Sequence, residues 1–524
     1  MNYTLNGAES LGIEFGSTRI KAVLIDNEFN PIASGSYSWE NKFENGIWTY
    51  SLDDVLTGLR TAYSKLNDEC KEKFGSYIEN LSSIGFSAMM HGYLPFDEND
   101  NQLAEFRTWR NTITGEAAKK LTQLFNFNIP QRWSIAHLYQ AILNGEEHIK
   151  DINYLTTLAG YVHYKLTGVK AVGIGEASGM FPIDSDTNNY NSKMLDKFNA
   201  LPEVKQSGIV LQDILPKVLL AGENAGCLTE DGAKLLDERG ILKSGVPMAP
   251  PEGDAGTGMT ATNAVRLKTG NVSAGTSIFS MVVLEKPLKN VYEEIDIVTT
   301  PVGKSVAMVH CNNCCTDLDY WVNLFSQFAS SIGSPMNKAE LYDLLYESAL
   351  YGDTDAGGLV NINYFSGEPV SHTADGRPMF VRKQGAKFNL ANFMRAQIYS
   401  TMATLKIGMQ ILEKEGVTID CLMGHGGLFK TKLVGQKLMA GAMNCPVAVM
   451  QTAGEGGAWG MAILAKYCVD NCGMPLDEYL DKKVFVTCES TTTQPDDADV
   501  QGFEEYMKNY KGALNAEISA YNNI

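Results

Sequence analysis

"LGIEFGSTRIKAVLID" (residues 11–26) carries an apolar run on each side of Gly16-Ser17-Thr18-Arg19. A tight hairpin that only reverses the chain favours Asn-Gly or Asp-Gly, because those residues accept positive φ. Gly-Ser-Thr also closes a turn, and it adds bare backbone N–H groups and two hydroxyls. Such a concavity suits an anion, above all a phosphate. The stretch therefore predicts two strands joined by a phosphate-receiving turn.

The same grammar returns about half a chain later. In "GNVSAGTSIFSMVV" (270–283) a strand-like run ends at Gly275, followed by Thr276-Ser277 and a second β-rich run. Either hairpin alone is as readily a plain surface turn. Together they predict two α/β lobes of related plan, gripping one phosphate chain from both sides of a cleft. The intervening sequence fits. Ser51 with Asp53 and Asp54 reads as a capped helix start, and Val55, Leu56, Leu59, Ala62, Tyr63 and Leu66 then share one face. "SSIGFSAMMHGYLPFDEN" (82–99) reads as a strand, a polar-tipped loop and a strand closing in an acidic turn. Asn389 precedes a long helical stretch that runs out at Gly416, and the tail from about residue 473 ends in one amphipathic helix. "GVPMAPPEGDAG" (245–256) is the expected crossing between lobes.

At 524 residues the chain exceeds one ordinary core. A hydrophobic fraction of 44% and a charged fraction of 20% leave no room for long disorder. The net charge of −18 opposes a nucleic-acid or anionic-membrane partner, so a polyanionic substrate needs a local basic pocket or a metal ion. No apolar run is long enough to span a bilayer, and "MNYTLNGAES" lacks the regions of a signal peptide. Ten scattered cysteines fit reduced thiols and a cytoplasmic location.

Several residues carry chemistry. In "PPEGDAGTGM" (250–259), Asp254 stands among small neighbours that let a ligand approach. A carboxylate there can take the proton of an attacking hydroxyl during phosphoryl transfer; the plainer alternative is a turn-capping Asp. "AMMHGY" (88–93) ends a strand in Met90-His91, and "FRTWRN" (106–111) supplies Trp109 and Asn111, an aromatic face and an amide suited to a sugar. "MGHGGLFKTKLVGQ" (423–436) and "TAGEGGAWGMAILA" (452–465) are Gly-rich loops leading into helices, suited to a ribose or an anion. Neither has the lysine of an ordinary P-loop. "HCNNCC" (310–315) is read as buried free thiols in a strand rather than a zinc site.

These motifs, in this order, resemble the FGGY carbohydrate kinases, a branch of the actin/Hsp70/hexokinase superfamily, from about residue 10 to 467. The resemblance implies two ribonuclease H-like (actin-like ATPase) α/β lobes with a nucleotide cleft, with domains at 9–262 and 263–470 and a tail at 471–524 packing on the body. It implies ATP held by Gly16, Ser17, Thr18, Lys21, Gly275, Thr276 and Ser277, with Gly426, Gly427 and Thr431 at the adenosine. Asp254 inherits the role of catalytic base, and Glu14, where Asp is usual, that of Mg²⁺ organiser. "YVHYKLTG" (161–168), "GEASGMFPID" (175–184) and "NYFSGEP" (363–369) resemble further family segments. "MMHG" is similar to the xylulokinase-like members, which places Met90 and His91, with Trp109 and Asn111, on the substrate. The implied reaction is phosphorylation of a terminal hydroxyl of a ketopentose such as xylulose or ribulose, or of a related polyol, by Mg-ATP, in a possible homodimer. Asn111 and Ile113 stand where the family usually has Asp and Arg, and Tyr399-Ser400 where it has Glu-Gly. The competing reading is a catalytically weak, actin/Hsp70-like nucleotide-binding regulator, whose ATP hydrolysis would not depend on a polyol.

Overall fold

The computed structural model describes residues 3–523 and divides the chain into two compact units that are discontinuous in sequence. One comprises the chain up to Val265 together with Asp296–Val306 and Glu455–Thr487; the other comprises Arg266–Ile295, Ala307–Gly454 and the chain from Cys488 onward.

The first unit is built on a five-stranded sheet in the order Glu252–Gly253, Ser83–Ala88, Ser10–Phe15, Arg19–Ile25, Pro31–Ser38. Ser10–Phe15 pairs antiparallel with Arg19–Ile25, which sets Glu14 opposite Lys21, and parallel with Ser83–Ala88, which sets Phe15 opposite Ala88. Leu11, Ile13 and Phe15 alternate onto one face of the sheet and are fully buried there. The helix Leu52–Phe74 lies on the edge strand. Ser51 accepts from the Asp54 N–H, acids occupy its first turn and lysines its last, and Gly75 ends it at φ 78°. Its predicted apolar face is the buried one; only Leu56 is partly exposed. The helix Gly457–Asp470, from the far end of the chain, packs on the same sheet. A methyl on Gly12 would meet Ala458 O at 2.1 Å and Ala462 N at 2.3 Å, so only glycine allows that close packing.

The second unit repeats the plan. Its sheet runs Ser305–Cys311, Ile278–Val283, Thr269–Ala274, Cys421–His425, Val447–Met450, Ser490–Thr493. Thr269–Ala274 pairs antiparallel with Ile278–Val283 across the second hairpin and parallel with Cys421–His425. The helix Leu390–Lys414 starts at Asn389, whose side chain accepts from the Asn392 N–H, and is buried along most of its length. The C-terminal segment belongs to the body: Ser490–Thr493 adds an antiparallel edge strand, and the helix Asp497–Asn523 buries Phe503, Tyr506, Met507 and Tyr510. "HCNNCC" departs from the strand predicted for it. Only His310 and Cys311 are in a strand, whereas Cys314 and Cys315 sit at the start of the helix Thr316–Ser331. Among the described residues, no helix is long and apolar enough to cross a membrane.

Candidate active site

In the first unit, the Gly16 N–H donates to Arg19 O at 3.0 Å and closes the first hairpin. Two aromatic side chains hold its carbonyls from behind: Trp39 Nε1 donates to Gly16 O at 2.7 Å and the Tyr50 hydroxyl to Ser17 O at 2.6 Å. Their rings stack at 4.1 Å. Thr18 remains exposed, as a ligand-receiving turn requires.

Glu14 and Lys21 flank that hairpin in register. Lys21 Nζ donates to Glu455 O at 2.8 Å, and burial lowers its pKa. The Glu14 carboxylate presses on the first residue of the helix Gly457–Asp470, where a methyl on Gly457 would meet Oε1 at 2.2 Å. Burial, and then the negative charge of Asp254, push its carboxyl up to about 7 against the pull of Lys21.

Asp254 is the first residue of the helix Asp254–Ala261, directly after the short strand Glu252–Gly253. Its side chain reaches solvent, yet surrounding protein desolvates the carboxyl enough to push it up to about 6. The Met90 N–H donates to Oδ1 at 3.3 Å and works the other way. The adjacent ends of Ser83–Ala88 and Glu252–Gly253, paired in parallel, thus bring the aspartate to the Met-His pair. His91 adopts φ 71° and Gly92 φ 100°, a strained corner of the kind held at functional sites. The His91 Nδ1–H donates to Gly179 O at 3.1 Å and the ring stacks on Trp133 at 6.2 Å. A methyl on Gly179 would lie 2.6 Å from Nδ1, so "GEASGM" shapes the histidine's back wall.

Asn111 is turned elsewhere. Its amide donates to Trp48 O at 2.8 Å and Thr108 O at 2.9 Å, and its Oδ1 accepts from the Trp48 N–H at 2.9 Å. Both donors of the amide are used inside the loop. Trp109 packs half-buried against the core, and Ile113 is 46% exposed.

Two carboxylates escaped the sequence reading. Glu252, fully buried, accepts from the Gly175 N–H at 3.4 Å and the Glu176 N–H at 3.2 Å, and burial pushes it up to about 8. Glu176 is equally buried and is raised well above the ordinary range by that burial. The acid two positions before Asp254 was the available signal.

In the second unit, the Gly275 N–H donates to Ser277 O at 2.9 Å. Backbone amides hold this hairpin from behind: the Cys315 N–H donates to Gly275 O and the Cys314 N–H to Thr276 O, each at 3.0 Å. Gly426, at φ 97°, follows the neighbouring strand so closely that a methyl would meet Ala274 O at 2.4 Å. Gly426-Gly427 therefore lies beside the Gly275 turn. Thr431 is buried, with its hydroxyl donating to Asp343 Oδ1 at 2.8 Å.

Among the described residues, no cluster of three or more His, Cys, Asp or Glu could hold a metal ion. Glu14, with the Asp254 carboxylate near enough to act on it, offers the donor type that Mg²⁺ takes, since that ion keeps several waters and binds one or two carboxylates plus substrate phosphates. A divalent cation would relieve both the burial and the repulsion that hold this carboxyl near 7.

Two sheets of one plan, each with a hydroxyl-bearing hairpin after its first strand, define the two-lobed actin-like ATPase fold. Residues 10–257 match the N-terminal domain of the FGGY family of carbohydrate kinases and residues 270–468 its C-terminal domain. The chain belongs to that family, and is an ATP-dependent sugar kinase. It is 22% identical over 517 residues to the xylulose kinase of Haemophilus influenzae, covering 95% of this chain and 98% of that protein. Its fold is similar to that of gluconate kinase from Lactobacillus acidophilus (TM-score 0.79, 16% identity, 98% and 99% coverage). It is similar also to xylulose kinase from the same organism (TM-score 0.78, 16% identity, 97% and 98% coverage).

Proposed function

We propose that this kinase transfers the terminal phosphoryl group of Mg-ATP to a terminal hydroxyl of a ketopentose such as xylulose or ribulose, or of a closely related polyol. The observation that carries this reading is the hydrogen bond from the Met90 N–H to Asp254 Oδ1, which joins the carboxylate to the Met-His pair. Met90 and His91 border the sugar, and Trp109 offers it an aromatic face. Asn111 serves the sugar only through the loop that it braces. Asp254 takes the proton of the attacking hydroxyl, and a carboxyl near 6 is ionised at neutral pH while remaining basic enough for the task.

Gly16, Ser17 and Thr18, and Gly275, Thr276 and Ser277, receive phosphate oxygens through backbone N–H groups and hydroxyls. Lys21 adds positive charge beside the first hairpin. Gly426 and Gly427 leave room for the nucleoside, and Thr431 fixes their loop through Asp343. Glu14 would hold Mg²⁺ through its carboxylate or a bound water. When bound, the ion offsets charge on the transferring phosphoryl group. A nucleotide-only regulator has no use for Met90-His91 beside a base, and the kinase family sets that alternative aside.

The test is ATP consumption by the purified protein with Mg²⁺ against xylulose, ribulose, ketohexoses, pentitols, gluconate and glycerol. Strong turnover on a ketopentose is expected. Turnover confined to gluconate or glycerol would overturn the substrate, and ATP hydrolysis indifferent to every sugar would overturn the reading as a whole.

A further inference from the structure

Cys314 and Cys315, from "HCNNCC", have no part in the reaction above, yet they lie directly behind the second hairpin. Their sulfurs are 3.5 Å apart. The peptide that joins them is pinned on both sides: its N–H, from Cys315, donates to Gly275 O at 3.0 Å, and its carbonyl, from Cys314, accepts from Asn363 Nδ2 at 2.8 Å. The Cys314 N–H adds a bond of 3.0 Å to Thr276 O.

A bond between adjacent cysteines closes a small ring that contains their shared peptide. The sulfurs must approach from 3.5 Å to ~2.05 Å, and the peptide plane must twist to let them. Twisting re-aims the N–H that holds Gly275 and the carbonyl that holds Asn363. The hairpin's backing is therefore mechanically tied to the state of the two sulfurs.

We propose that the Cys314–Cys315 dithiol is a site of reversible oxidation by hydroperoxides, and that its disulfide releases the Gly275–Ser277 hairpin and suppresses use of ATP. The consequence for ATP rests on the hairpin's role given under Proposed function. Cys315, 8% exposed against 1% for Cys314, meets the oxidant first. Its sulfur attacks the O–O bond, forming a sulfenic acid and releasing water, or an alcohol from an organic hydroperoxide. The Cys314 thiol then attacks that sulfur; the S–S bond forms and a second water leaves. Two thiols lose two electrons and two protons, and the hydroperoxide takes both. Strain in so small a ring makes the bond easy to reduce, so an ordinary thiol reverses it.

The experiment treats the full-length protein with hydrogen peroxide, alkylates the remaining thiols, maps peptides by mass and compares steady-state kinetics before and after. The expected result is a peptide containing Cys314 and Cys315 that is lighter by two hydrogens, with a KM for ATP raised roughly tenfold or more. The KM for the sugar should stay constant, and dithiothreitol should restore the enzyme. Cys315→Ser and Cys315→Ala should each keep their own untreated KM for ATP under peroxide. Free thiols at both positions, a disulfide mapped to Cys311, or a response that survives in both variants would overturn the proposal. A Cys314–Cys315 disulfide with an unchanged KM for ATP would also overturn the switch, and would trace the failure to the role assigned to the hairpin.

Discussion

The two hairpins share a sequence grammar and differ in what stands behind them. Side chains hold the carbonyls of the first, through Trp39 and Tyr50, whereas backbone amides hold those of the second, through Cys314 and Cys315. The first is flanked in register by Glu14 and Lys21, and Asp254 is close enough to Glu14 to raise its pKa. The second is flanked by a glycine loop that follows the adjoining strand. Ionisable side chains thus flank the first hairpin, and a closely packed glycine loop flanks the second. Substitutions in the first unit should act on turnover, and those in the second on nucleotide affinity.

The largest effect separates them at once. We expect Asp254→Asn to lower kcat by about 10²–10⁴-fold, with little change in the KM for ATP. Steady-state kinetics check this, and a kcat within a few-fold of the parent would remove Asp254 from the chemistry. Gly426→Ala places a side chain at φ 97° and against Ala274 O. It should cost ~1–3 kcal/mol of stability and raise the KM for ATP, leaving the KM for the sugar in place. Calorimetry and nucleotide titration read the two effects separately.

Tyr50→Phe removes one hydrogen bond from the back of the first hairpin. A loss of ~0.5–1.5 kcal/mol of phosphate positioning, a few-fold in kcat, should follow. Equal kinetics in the variant would show that the hairpin holds its shape without that brace. The last effect lies outside the kinetics and is read as a slope of stability against pH. Glu252 is raised from 4.5 to about 8, so the folded chain binds more protons than the unfolded chain between those values. Its contribution is fully present below about 4.5 and is lost as pH rises through about 8. Glu252→Gln, which keeps an acceptor for Gly175 and Glu176, should flatten that fall in thermal melts. An identical pH dependence in parent and variant would place the effect elsewhere.

The hairpins and the caps at Ser51 and Asn389 were legible in the sequence because their determinants are local, whereas Asp254, among its small neighbours, opens a helix directly after a short strand. Asn111 was not, because its partner Trp48 lies 63 positions away and takes the amide that a sugar was expected to use. The link between Glu252 and the turn at Gly175–Glu176 spans a comparable gap and shows no local pattern. The placement of Glu455–Thr487 with the first unit depends on Gly457–Asp470 docking against Gly12, a contact that a linear reading cannot see. Cys314 and Cys315 read as strand because they closely follow the run that ends at Cys311, but Asn312 and Asn313 interrupt it, and Thr316 with the acids Asp317 and Asp319 starts a helix there instead.

The most direct measurement is the pH dependence of kcat/KM for the sugar at saturating Mg-ATP. A base at Asp254, pushed up to about 6, should give a plateau above that pH and a tenfold fall for each unit below it. A profile flat down to pH ~4, the range of an unperturbed aspartate, would contradict the raised pKa, and a profile of the same shape and height in Asp254→Asn would contradict Asp254 as the group that takes the sugar's proton.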